Sequence, residues 1–259
     1  MSEATPGGRP AGHGHGQGGE ELQIDVSERG APRDGQPQTM DRRLFMQLLV
    51  FQAENGTADA ITRKARDTRS RIQSKGVGVV VYEDVNDPWS IGVLTWSENP
   101  GAFVEIVRPA ILDESSAPRL RLRPDMTMLG RTYSTGYEQD LEYWLLRRPA
   151  ETVTNAAWPW AVWYPLRRSG AFSKLEPREQ GGIMREHGTI GKAYGAKDLA
   201  HDVRLACHGL DMNDNEFVIG LVGKELHPLS HIVQAMRKTR QTSEFITQMG
   251  PFFVGRVLA

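Results

Sequence analysis

Apolar and polar positions along this chain fall into short blocks whose period changes from two to about three and a half and back. Residues 44–51 are mostly apolar and of strand length. Residues 57–73 are polar and rich in Arg and Lys, with Ala58, Ile61, Ala65 and Ile72 on one helical face. A β-branched run at 77–82 and a strand at 89–96 follow, the latter entered through the turn Asn86-Asp87-Pro88. Asn99 is placed to cap a short helix with Pro100 in its first position, and 126–137 predicts a further strand. The pattern then repeats in kind: strand at 161–166, helix at 176–194, strands at 203–207 and 217–222 joined by the polar loop 211–215, helix at 229–249, strand at 252–257. Between the two series, residues 139–157 carry Arg147-Arg148-Pro149 and are expected to cross from one sheet to the other.

The two series share more than order. Ile91-Gly92-Val93-Leu94 is followed by Pro100, and Ile219-Gly220-Leu221-Val222 by Pro228, at a constant offset of 128 residues. Each half reads strand–helix–strand–strand–helix–strand, the split βαβ arrangement. The expected fold class is α+β: two ferredoxin-like (βαββαβ) repeats forming a dimeric α+β barrel within one chain, with helices outside. The halves span residues 40–150 and 151–259, the second carrying the candidate chemistry. Residues 1–39 hold nine of the 27 glycines, four prolines and only Met1, Leu22, Ile24 and Val26 as large apolar side chains. Such a stretch buries too little surface to offset its ordering entropy, so it reads as a disordered tail.

That tail accounts for much of the low hydrophobic content, 39% of 259 residues. With 31 Lys and Arg against 32 Asp and Glu, the net charge of −1 gives no whole-chain footprint for nucleic acid or an anionic membrane. No window is long and apolar enough to span a bilayer. The tail lacks an apolar signal core, and Glu20, Glu21, Asp25 and Glu28 argue against a transit peptide, so a cytoplasmic protein is expected. Its His13 and His15 are too loosely held to make a good metal site. The single cysteine, Cys207, excludes an intrachain disulfide framework and multi-cysteine zinc or iron–sulfur sites.

Among residues that could do chemistry, His187 shares a helical face with Ile183, Met184, Ile190 and Tyr194. It is either a satisfied core histidine or a ligand to a metal or haem iron. Arg204 sits in an apolar strand, where it either faces solvent at a strand end or points into a cavity to hold an anion. Trp158, Trp160, Trp163 and Tyr164 crowd one segment, filling a core or edging a flat ligand. Arg237, Arg240 and Ser243 could bind carboxylates. Cys207 and His208 are neighbours on an expected strand and point to opposite faces, which argues against a catalytic pair.

Five segments together carry a resemblance: Trp163-Tyr164-Pro165-Leu166-Arg167-Arg168, Met184-Arg185-Glu186-His187-Gly188-Thr189-Ile190-Gly191-Lys192, Asp214-Asn215-Glu216-Phe217, Met236-Arg237, and Gly250-Pro251-Phe252-Phe253-Val254-Gly255. These resemble the chlorite dismutase superfamily, which includes chlorite dismutases and coproheme decarboxylases. The resemblance implies that His187 is the axial ligand of haem iron, with Met184 beside the cofactor. It implies that Arg204, twelve residues before Glu216, faces the open side of the iron. Tyr164 matches the tyrosine that relays a radical in the decarboxylases; Arg168, Arg237 and Ser243 match propionate-binding positions. The histidine's acidic partner on the last helix is matched by Gln241 or Glu244. The tryptophan pair expected fifteen and fourteen residues before the ligand is here Phe172 and Ser173.

The implied function is a haem b oxidoreductase converting chlorite to chloride and dioxygen, or performing related peroxide chemistry. The alternatives are a coproheme decarboxylase, with coproheme as substrate or cofactor, and a non-catalytic ferredoxin-like binding or assembly protein. The implied partners are a small anionic substrate or peroxide and copies of the same chain, as pentamer or dimer.

Overall fold

A computed structural model describes residues 22–113, 115 and 117–259. The expectation of a disordered tail bearing His13 and His15 falls largely outside the described residues. Its C-terminal part is corrected: Glu28–Arg33 (β1) and Gln36–Met40 (β2) form an antiparallel hairpin. Asp34 and Gly35, both at positive φ, make its turn. The hairpin is held from far away in sequence. The Gln38 amide donates to the Glu138 carbonyl at 3.1 Å, and Arg131 donates to Glu28 at 2.8 Å. Composition misses this because the anchors lie about a hundred residues on.

The remaining strands are β3 (Phe45–Ala53), β4 (Gly78–Asp84), β5 (Ser90–Ser97), β6 (Leu120–Leu122), β7 (Met128–Arg131), β8 (Trp160–Arg168), β9 (His201–Ala206), β10 (Phe217–Gly223), β11 (Ile246–Met249) and β12 (Phe253–Val257). The helices are α1 (Ala58–Gln73), α2 (Arg108–Ile111), α3 (Arg148–Thr154), α4 (Pro177–Ala196) and α5 (Leu226–Met236). Strands pair in the order β10-β9-β7-β3-β5-β4-β12-β8-β11, and β10 also pairs with β8. The hydrogen-bonded path therefore returns to its starting strand. The two halves keep one element order, β3–α1–β4–β5–α2–β7 and β8–α4–β9–β10–α5–β12. The 150/151 boundary falls inside α3.

Among the described residues three of four apolar clusters follow from strand alternation; the fourth, small one joins Phe172, Ile183 of α4 and Phe245. The central one takes the inward residues of both halves, including Met46, Leu48, Tyr82, Trp163, Val203, Leu205 and Phe253. A second lies between β3–β5 and the helices of the first half, with Phe51, Ile61, Ile72, Val93 and Phe103. A third lies between β8–β10 and α5, with Val162, Tyr164, Leu221, Leu229 and Ile232.

The internal repeat has a physical reason. A Cβ on Gly92 would lie 2.4 Å from the Phe253 ring, and one on Gly220 would lie 2.5 Å from the Trp163 ring. At the equivalent place in each half, glycine leaves room for a large aromatic side chain from another strand of the same sheet.

Three expectations are corrected. The helix at 229–249 ends at Met236; a π-helical turn, Gln241–Phe245, follows, and β-branched Ile246 and Thr247 then enter β11, which pairs with β8. The strand at 126–137 shrinks to β7, because Glu138 accepts from the backbone of Thr135 and Gly136 (both 2.9 Å) and turns the chain away. The linking segment is helical, a π-helical turn Tyr143–Arg147 leading into α3, with Leu145 and Leu146 buried. Asn99 does cap its helix, accepting from Gly101 N–H at 2.9 Å. Gly220→Ala forces the Trp163 ring to move, so it should destabilise the protein by about 1–3 kcal/mol; a thermal or urea melt with no measurable loss would contradict this packing.

Candidate functional site

Because Val203 and Leu205 of β9 point into the central core, Asp202 and Arg204 point out, toward α4. Register places Arg204 opposite Ile219 and Ile219 opposite Tyr164. These three side chains form one row across β9, β10 and β8, with Arg204 and Tyr164 about 10 Å apart at the backbone. The next row is Asp202, Leu221 and Val162. Arg204 is thus mid-strand, not the strand-end residue that one sequence reading allowed.

The helix over this face is loosely seated. Of the twenty residues of α4 only Ile183 is buried, whereas α1 buries Ile61, Lys64, Ala65, Thr68 and Ile72. Five residues of α4 are glycine, each costing about 1 kcal/mol against alanine in a helix interior. An added Cβ at Gly181, Gly182 or Gly188 would meet nothing within 4 Å, and at Gly191 only the Met236 methyl at 3.9 Å. The sequence accepts poor helix formers and leaves space along this helix.

His187 lies in that region, partly buried, with Nδ1 buried and without a hydrogen-bond partner among the described residues. Its pKa is lowered, first by burial and then by the positive charge of Arg204, against the opposing charges of Asp202 and Glu186. The imidazole is therefore neutral at neutral pH, the form that ligates metals. Among the described residues no group of three or more His, Cys, Asp and Glu side chains is placed to hold a metal ion. A lone neutral histidine on α4 fits a metal that brings its other ligands with it, as haem does; the interface between α4 and the outward rows of β9, β10 and β8 is called the slot.

The charged side of the slot is a chain of ion pairs. Arg204 Nε lies 2.9 Å from Asp202 Oδ2, and Arg148 Nη2 of α3 donates to Asp202 Oδ1 at 2.8 Å. Arg148 also donates to the Asp202 carbonyl at 2.8 Å, and its guanidinium lies over the Trp144 ring. Burial pulls the Asp202 pKa up, but Arg204 and Arg148 outweigh it and the net shift is down. Burial depresses the Arg204 pKa, and Asp202, Tyr133 and Glu138 outweigh it in turn. Tyr164 is buried, stacked on Phe252 at 4.7 Å, with its pKa raised by burial and by Asp202. Tyr133 lies close enough to feel Arg204, Asp202 and Arg168, and burial raises its pKa.

The other expected residues divide. Arg168 is engaged: it donates to Glu216 at 2.7 Å and lies over the Phe172 and Phe217 rings. Arg237 is exposed, has no ion pair among the described residues, and lines a cavity of about 280 Å³ with Thr242, Ile246 and Met249. Its charge reaches Tyr164. Ser243 donates to the Thr239 carbonyl at 3.0 Å. Glu244 is held by Arg240 at 2.9 Å, while Gln241 is buried with its Oε1 unpartnered; neither bonds to His187 Nδ1. Met184 is exposed. Cys207 and His208 lie just beyond β9, Cys207 buried with its pKa pushed up to about 12 by burial. A larger cavity, about 370 Å³ beside Arg42, Arg43 and Glu98, contains none of the candidate residues. The sequence reading missed Asp202, Arg148 and Tyr133. Asp202 had a signal, since it shares a strand face with Arg204; the other two had none.

A sequence profile described as chlorite dismutase matches residues 119–258, more than half of the chain. No curated protein sequence matches the chain. Among solved structures, a haem-binding protein from Thermus thermophilus aligns with a TM-score of 0.65 at 17% identity, covering 83% of this chain and 91% of that one. The chlorite dismutase from Candidatus Nitrospira defluvii in complex with imidazole aligns with a TM-score of 0.66 at 13% identity, covering 84% and 92%. No helix among the described residues is long and apolar enough to cross a membrane.

The C-terminal end of α4 is pinned by Asp198. Its carboxylate accepts from Lys224, from the Trp158 indole at 3.0 Å and from His201 at 2.8 Å, and Trp158 stacks on His201 at 3.6 Å. Lys224 first and His201 second lower the Asp198 pKa to about 2. A depressed carboxylate stabilises the fold above its unfolded pKa, and the contribution is lost as pH falls through the folded value. Asp198→Asn should therefore melt below the parent protein at pH 7, with the gap closing as pH falls toward about 2; a gap independent of pH would remove the carboxylate from this account.

Proposed function

The chain belongs to the chlorite dismutase family, and on that premise we propose that it is a haem-binding oxidoreductase acting on a small oxygen-rich oxidant, chlorite or a peroxide. The observation that carries this reading is His187: a neutral imidazole, its Nδ1 buried and without a partner among the described residues, on a glycine-rich helix that buries only Ile183. We read the two halves as ferredoxin-like repeats and the returning strand path as a barrel, supported by the shared element order and the pairing of β10 with β8.

In this reading His187 would hold the iron of haem b. Bound haem supplies the redox chemistry. Arg204 supplies a permanent positive charge and a planar set of donors to an oxygen-rich ligand in a low-dielectric slot. Ile219 and Leu221, with Tyr164 and Val162 beside them in the same rows, supply the slot's apolar part next to the Arg204–Asp202 pair. Arg237, exposed beside its own cavity and near enough for its charge to reach Tyr164, is available to pair with a propionate; Arg168, committed to Glu216, is less available for that role.

A second reading, coproheme decarboxylase, draws on Tyr164. It is buried in the same row as Arg204, with its ring stacked on Phe252 and its backbone fixed in β8, where a radical relay would need a tyrosine held still beside the ligand.

Haem titration separates these from a non-catalytic barrel: the parent should develop a Soret band, and His187→Ala should lose it while keeping its fold. Arg204→Ala should retain haem but lose oxygen evolution from chlorite, or peroxide turnover, by about a hundredfold or more. Unchanged turnover would sink the role of Arg204. Coproheme with peroxide, followed by mass spectrometry, tests the second reading: two successive losses of carbon dioxide support it, and an intact mass removes it.

A further inference from the structure

The arginine that faces the slot is not free. Asp202 grips it at Nε, and Arg148 grips Asp202 at both its side chain and its backbone. Asp202 and Arg204 are two residues apart on one strand face, so the pairing is built into β9 and needs no rearrangement elsewhere. Arg148 arrives from α3, in the segment joining the halves, with its guanidinium 4.4 Å from the centre of the Trp144 ring. The other acid that Arg204 feels, Glu138, is occupied by the Thr135 hydroxyl and nearby backbone amides. Asp202 is therefore the carboxylate in contact with Arg204.

Resting on the reading of this slot as the oxidant-binding face, we propose that Asp202 is its specificity-determining residue: by offsetting part of the charge on Arg204, in a contact that Arg148 shares, it weakens the site's hold on small oxyanions such as chlorite relative to small uncharged oxidants, hydroperoxides. An incoming anion must compete with a carboxylate already in contact with the guanidinium. Hydrogen peroxide is uncharged at neutral pH and meets no such competition; it can accept from the Nη donors that the monodentate grip at Nε leaves free.

Two effects oppose each other when Asp202 is removed. Arg204 loses its positioning, which weakens any ligand, and loses a neutralising charge in contact with it, which strengthens an anion. A contact ion pair in a partly buried site outweighs the rotamer entropy of one arginine, so the charge effect wins.

The test uses apo-protein, so that it does not depend on haem. Nitrite, a bent oxyanion like chlorite, is titrated while the Arg204 Nε–H resonance is followed by NMR, assigned with Arg204→Lys. Asp202→Asn should tighten nitrite binding by about tenfold or more. Asp202→Glu, which keeps the charge, should leave it close to the parent. Arg148→Gln, which removes a positive charge and leaves Asp202 to Arg204 alone, should weaken it. Unchanged or weaker nitrite binding in Asp202→Asn overturns the proposal; should that variant not fold, unchanged binding in Arg148→Gln does so. On haem-loaded protein, the ratio of nitrite to imidazole affinity should rise in Asp202→Asn, because imidazole is neutral and does not feel the lost charge. Absence of a Soret band would defeat the haem reading and leave the apo-protein nitrite result standing.

Discussion

The phase of β8 against β10 is the constraint on which the rest depends, and Trp163 over Gly220 sets it. Side chains alternate with period two, so a slip of one residue would exchange the two faces of every strand concerned. With Trp163 inward, Tyr164 is outward. With Val203 and Leu205 inward, Asp202 and Arg204 are outward. A large indole that fits only above a glycine cannot move to the next position without meeting a Cβ. The packing of the central core thus decides which residues line the slot under α4, although none of the core residues faces that slot.

The two outer clusters show what a filled and an underfilled interface look like on one scaffold. Between β3–β5 and α1, five helix residues are buried, and three of them, Ile61, Ala65 and Ile72, are the apolar face of α1. Over β8–β10, α5 supplies the buried helix residues, while α4 adds only the partly buried Ile190 and Tyr194 and gives five positions to glycine. Helices in proteins owe most of their stability to packing an apolar face. A helix that packs so little, with a quarter of its residues glycine, is held largely by polar contacts. Asp198 secures one end; near the other Arg240 pairs with Glu179 at 2.8 Å and Ile183 packs with Phe172 and Phe245, and midway the Arg240 backbone N–H donates to Glu186. An imidazole with a bare Nδ1 midway along such a helix is where a flat apolar ligand would complete the interface.

Much of this was legible in the residues. Period and turn chemistry located most strands and helices, and the Ile-Gly repeats at 91 and 219 marked the equivalent positions of the two halves. Of the candidates, Arg204 and Tyr164 share one face by register, and His187 on α4 lies near enough to feel the charge of Arg204. What failed did so for long-range reasons. The β1–β2 hairpin depends on Gln38 reaching the Glu138 and Gln139 carbonyls. The end of α5 and the start of β11 depend on an open edge of β8 to pair with, which no local window contains. Glu244 was a reasonable acidic partner for the histidine by position, but Arg240, four residues before it on the same helical turn, takes it first.

The charge environment was the least legible part, because family motifs place residues and not their partners. An arginine in a matched position carries the same formal charge wherever it occurs, yet its power to hold an anion depends on what already touches it. Here Asp202 lies two residues earlier on the strand and Arg148 some fifty residues earlier, at the junction of the halves. Removing Asp202 alone would leave two guanidiniums facing each other. Removing Arg148 alone would leave Arg204 fully neutralised. The three side chains therefore act as one unit of net charge +1, shared between α3 and β9. The segment that joins the halves is in this way part of the site: it fixes how much of the charge on Arg204 a ligand in the slot can feel.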